Sequence, residues 1–210
     1  LNGQTYLQSG YLEGTSVISD SSGALLFYSN GEKVWNKNHQ VMPNGDSLYG
    51  SFSATQSSLI IAEPGQERFF YIFTLDDFNH DLINGFRYSV IDMCLDNGSG
   101  DVVLSQKNLF LLDSAGEKLT GARHANGIDY WVIVHKYYSD AFYAYLVTSS
   151  GISNPVISHI GSVHSSTAPH PVAAIGCMKV SPDGSRIALA SSNGGHLREL
   201  FNFDNSTGIV

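Results

Sequence analysis

The sequence predicts an all-β protein, and three observations lead there. Its apolar residues gather in short runs, each closed by a polar turn containing glycine, and Gly supplies the positive φ that tight turns demand. Charged residues make up only 14% of the chain against 42% hydrophobic, so the straight-chain helix formers are scarce. No stretch sustains a helical period, and the best candidate, residues 113–120, is short and interrupted by Gly116.

Taken in order, the strands form four copies of one unit. The first copy has strands at Thr15–Ser19, Ala24–Tyr28 and Lys33–Trp35, with a turn at Asp20–Gly23. The second has Ser58–Ala62, the turn Glu63–Gln66, then Phe69–Phe73 and Phe86–Leu95. In the third, Lys118–Arg123 and the turn His124–Gly127 precede Tyr130–His135 and Ala141–Val147. The fourth runs Ile175–Val180, the turn Ser181–Gly184, Arg186–Ala190 and Leu197–Phe203. The second strands of the first three copies are continuous apolar runs, as expected where both faces of a sheet are covered.

The turn glycines Gly23, Gly65, Gly127 and Gly184 lie 42, 62 and 57 residues apart. Propeller blades repeat at roughly 40–50 residues and carry insertions in their loops. The polar stretches 76–84 and 162–171 are expected to be such insertions. The fold expected is therefore a partial β-propeller of about four blades, at roughly 11–50, 51–112, 113–171 and 172–210. A β-sandwich ranks second, because its strands alternate more strictly. Both termini read as cuts through a longer chain.

Two resemblances follow from particular residues. Ser181-Pro182-Asp183-Gly184 with Ile187–Ala190 and Leu200–Asp204 resembles the blades of WD-repeat-like and TolB-like propellers. Gly23–Tyr28, Val34–Gly45, Ser53–Ser57, Tyr88–Met93, His124–Gly127 and Phe142–Val147 resemble the propeller region of large secreted Bacteroidota proteins. Proteins of that family carry a C-terminal signal read by the type IX secretion system, and these residues contain no such sorting domain. The resemblance implies a ring of about seven blades and an extracellular or cell-surface location. It also implies that the remaining blades, or a neighbouring subunit, cover the end faces of this segment.

Several function classes are disfavoured. A net charge of -8 with no basic run repels a phosphate backbone, so nucleic acid is not expected as a partner. No apolar stretch reaches the length of a membrane-spanning helix. Cys94 and Cys177 sit in apolar runs and are expected to be buried free thiols. No zinc-binding helix, nucleophile elbow or phosphate loop occurs, so no catalytic residue, metal or cofactor is expected.

Two groups are nonetheless candidates for ligand binding, and three others have plainer readings. Trp35, Asn36, Asn38 and His39, with Gln40, concentrate aromatic and amide groups in one segment, which suits stacking on and hydrogen bonding to a sugar or peptide. The bland alternative is a loop whose amides tie down its own backbone. His124, Asn126 and His135 flank a central strand and would line an axial channel. His159, His164 and His170 read as a solvated loop rather than a metal set. Residues 96–101 read as turn chemistry rather than a calcium loop. Asn97 and Asn205 each open an N-glycosylation acceptor triplet, expected to be unmodified in a bacterial source.

The leading expectation is a non-enzymatic scaffold or binding module for protein or glycan contact, its loops carried on a rigid platform. Its rivals are a propeller domain of a polysaccharide hydrolase or lyase and a structural spacer in an adhesin.

Overall fold

The computed structural model describes residues 13–166, 172–192 and 197–210. It is all-β, with four antiparallel sheets in chain order and only short 3-10 turns as helix among the described residues. Sheet one is β1 (Ser16–Ser19), β2 (Leu25–Ser29) and β3 (Val34–Asn36). Sheet two is β4 (Ser58–Ala62), β5 (Phe69–Leu75) and β6 (Phe86–Asp92), with β7 (Asp101–Val102) and β8 (Leu109–Leu112) sharing the outer edge of β6. Sheet three is β9 (Ala115–Arg123), β10 (Tyr130–Lys136) and β11 (Ala141–Thr148), edged by β12 (Gly151–Ile152) and β13 (Val156–His159). Sheet four is β14 (Gly176–Val180), β15 (Arg186–Ser191) and β16 (Arg198–Asn202). The stretch 113–120 is thus strand and its approach, with no helix.

The turns follow the chemistry of their sequences. Gly23, Gly65, Gly127 and Gly184 all hold positive φ, between 73° and 85°, where a side chain would be strained. In the first turn the Asp20 carboxylate accepts from the N–H groups of Ser22 and Ala24. In the last, Asp183 accepts from the Ser185 N–H and from both flanking serine hydroxyls, which hold its carboxyl down at about 2. These Asx turns close the hairpins without help from the core.

Three apolar layers join the four sheets. Phe27 and Val34 of sheet one meet Phe70, Ile72 and Ile91 of sheet two. The opposite face of sheet two, through Phe73, Leu75 and Phe86, packs on Leu119, Val132 and Tyr145 of sheet three. Trp131, Ile133 and Phe142 on the far face of sheet three then meet Met178, Ile187 and Phe201 of sheet four. Sheets two and three are covered on both faces, which is why β5 and β10 are buried almost end to end. β15 alternates strictly between exposed and buried, as a strand covered on one face must.

That alternation corrects the reading of the cysteines. Cys177 lies on the outward face of β14 and Cys94 in the turn after β6, and both are free and exposed. An apolar neighbourhood in sequence does not bury a residue whose strand position points outward.

The first strands of the sheets lie side by side. β1 adjoins β4, β4 adjoins β9, and β9 adjoins β14. Two side chains, one just before β4 and one on β9, tie this region together. Gln56, just before β4, accepts through Oε1 from the N–H groups of Leu119 and Met178 and donates through Nε2 to the Met178 carbonyl. It therefore ties sheets three and four to the entry of sheet two. Glu117 on β9 is fully buried and accepts from the Thr55 N–H and hydroxyl and from the Phe78 N–H.

Candidate functional site

The segment after β2 builds an aromatic row across one face of sheet one. Val17 pairs with Tyr28, Tyr28 with Trp35, and Trp35 bridges to Val41, so four side chains line up across the strands on the face opposite Phe27. The Tyr28 and Trp35 rings stack at 5.4 Å with 12° between their planes. Val17 and Val41 at the two ends of the row are 67% and 43% exposed. His39 flanks it, its Nδ1 3.1 Å from the Tyr28 hydroxyl and its backbone held at a φ of 62°.

Of the candidate residues, Trp35 is part of this row and half-buried, His39 flanks it, and Asn38 is exposed in the turn that follows β3. Asn36 faces the other way. It is buried, and its Oδ1 accepts from the N–H groups of Asn38 and Gln40, shaping the tight turn that brings Val41 back against Trp35.

The second trio is not brought together. His124 and His135 lie at opposite ends of the β9–β10 hairpin, about 20 Å apart along the strand. His124 Nδ1 accepts from the Asn126 N–H, so its Nε2 carries the proton that it donates to the Ser206 carbonyl. The Asn126 Oδ1 accepts from the N–H groups of Ile128 and Asp129. Both residues organise the turn. His135 is buried edge-on against Phe142 and face-on against His164.

The histidines in and near the 162–171 insertion also separate. His159 is exposed and pairs with Asp140, His164 is buried, and His170 lies outside the described residues. Among the described residues, Asp76, Asp77 and His80 instead come within metal-binding distance of one another. Asp76 and Asp77 are buried, and His80 Nδ1 lies 3.2 Å and 3.4 Å from their Oδ1 atoms. The Asp-Asp-x-x-His spacing in a polar insertion was the available signal for this group. Its carboxylates also accept from the N–H groups of Asp77, His80 and Asn84 and from the Ser51 hydroxyl, which is a loop-fixing role.

A cavity of about 700 Å³ opens where the first strands of the sheets converge, lined among others by Gln56, Leu59, Arg123, Tyr130, Cys177 and Lys179. Neither His124 nor His135 reaches it. No family model matches the chain, and a search of curated proteins finds no match.

Proposed function

We propose that this chain is an arc of four propeller blades serving as a non-catalytic binding module, extracellular or at the cell surface, for protein or glycan contact. The regular stacking of four antiparallel sheets with their first strands side by side supports the blade reading. The resemblance to secreted propeller proteins supports the location and the presence of further blades, or a second subunit, beside the two end sheets. The observation that carries the binding role is the Val17–Tyr28–Trp35–Val41 row. A stacked aromatic pair with an imidazole beside it suits the apolar face of a sugar ring or the side chain of a peptide, and needs no net charge.

Binding to an array of neutral oligosaccharides and peptides tests this. Trp35→Leu keeps apolar contact with Tyr28 but removes the stacking face, and is expected to weaken binding about tenfold. Its melting temperature should stay within about 3 °C of the parent. Asn36→Ala is expected to do the reverse, losing about 1–2 kcal/mol of stability with affinity unchanged. A Trp35→Leu protein that binds every array ligand as the parent does would remove this face from consideration.

A further inference from the structure

The contact between sheets three and four contains a buried polar cluster that the binding role does not use. Lys118 of β9 donates from Nζ to the carbonyls of Ala173 and Ala174, in the turn that leads into sheet four. Glu199 of β16 accepts from the Ser162 N–H and from His164 Nε2. The His164 backbone belongs to sheet three, since it is bonded in both directions to the β10–β11 turn at Tyr138 and Ser139. These two links add to the apolar layer and to the Gln56 and Trp131 hydrogen bonds that also join sheet four to sheet three.

The imidazoles in this cluster are set up to be neutral. His164 and His135 are each 1% exposed, with rings stacked at 3.8 Å and 22°. Because His164 Nε2 donates to Glu199, its unprotonated nitrogen is Nδ1, which is buried and has no hydrogen-bond partner among the described residues. A second proton there would find no acceptor among the described residues and would lie beside the stacked His135 ring. The charged groups around the pair are Lys118 from β9 and Glu199 from β16, with Glu117 beside Lys118 on the same strand. Phe142 supplies the remaining wall of His135. Glu199 favours an imidazolium at His164, and a backbone hydrogen bond at Lys136 favours one at His135 but is outweighed by burial and by the His164 and Lys118 neighbours.

We propose that the His135–His164 stack is an acid-sensitive latch: mild acid releases sheet four from sheet three while sheets one to three stay folded. Burial, aided by His164 and Lys118, pushes the His135 imidazole from 6.5 down to about 2, and burial lowers His164 as well, partly offset by Glu199. Above pH 6.5 the closed and open forms are both neutral at these rings, and the closed form has its full advantage. As pH falls below that value the open form takes up protons that the closed form cannot, so closure weakens progressively toward the depressed value. At pH 5 a freed imidazole of ordinary basicity favours opening by about 30-fold, and His164 adds a smaller factor because Glu199 already stabilises its charged form.

Hydrogen exchange of the whole chain at pH 7.5 and pH 5, corrected for intrinsic rates, tests the latch. Protection of β14–β16 is expected to fall at least about 30-fold at pH 5 while that of β4–β8 falls several-fold less. The double variant His135→Phe, His164→Gln should reduce the pH-dependent loss in β14–β16 to under about threefold. His164→Gln alone, which retains an amide donor for Glu199, should show an intermediate loss. An equal loss across all four sheets in the parent protein overturns the latch without recourse to any variant. So does a double variant that folds and keeps the full pH response.

Discussion

Glu117→Ala is expected to cost about 4 kcal/mol and to lower the melting temperature by about 10 °C. Glu117 is fully buried on the first strand of sheet three. Its two oxygens take the Thr55 N–H and hydroxyl at 2.8 and 2.7 Å and the Phe78 N–H at 2.9 Å. Alanine removes the acceptor for three donors at once, in a place water reaches poorly, and an unmet buried donor costs more than a made hydrogen bond contributes. Burial also raises the Glu117 carboxyl above its ordinary value, so the net contribution of the wild-type group is smaller than its bond count implies. Glu117→Gln keeps one acceptor oxygen and should lose about half as much. Denaturant titration of both variants checks the ordering, and an alanine variant as stable as the parent would show that these donors find other partners.

Gln56→Leu comes next, at about 3 kcal/mol. The leucine fits the half-buried site in volume but leaves the Leu119 N–H, Met178 N–H and Met178 carbonyl without the partner that joins them. Because Gln56 connects three sheets, its loss should also reduce cooperativity. Unfolding of sheet four is expected to separate from that of sheets two and three, visible as a tryptophan transition that precedes the far-ultraviolet one. Trp131 is the reporter, since its ring packs against sheet four and its Nε1 donates to the Asn205 carbonyl. Coincident transitions in Gln56→Leu would mean that the apolar layers alone couple the sheets.

Neither of these side chains announces itself in the sequence, and the reason is physical. A strand is written in local periodicity, so β2, β4, β5, β9, β10, β11 and β15 were legible from their apolar runs and turn glycines. Gln56 and Glu117 act across 63 and 62 residues of chain, and nothing local distinguishes them from exposed polar residues. The short edge strands β7, β8, β12 and β13 escaped notice because two to four residues carry too little pattern. At the candidate site the composition of residues 35–40 marked the segment that completes the row. It could not separate Trp35, which joins the row, from Asn36, whose side chain turns inward to bind its own loop. That division depends on the alternation of β3 and its bridge to Val41, which is a matter of register.

The chain has two tryptophans, and they are placed to locate a ligand. Trp131 is 4% exposed and sealed between sheets three and four, whereas Trp35 is half-buried in the sheet-one row. Fluorescence titration with a ligand selected from the array, combined with acrylamide quenching, therefore reports on the proposed contact surface most directly. Occupation of the row should shift the Trp35 emission to the blue, protect it from quenching, and saturate at the same midpoint as the calorimetric isotherm. A ligand that gives full binding heat while Trp35 emission and quenching stay unchanged would contradict the assignment of this face as the binding surface.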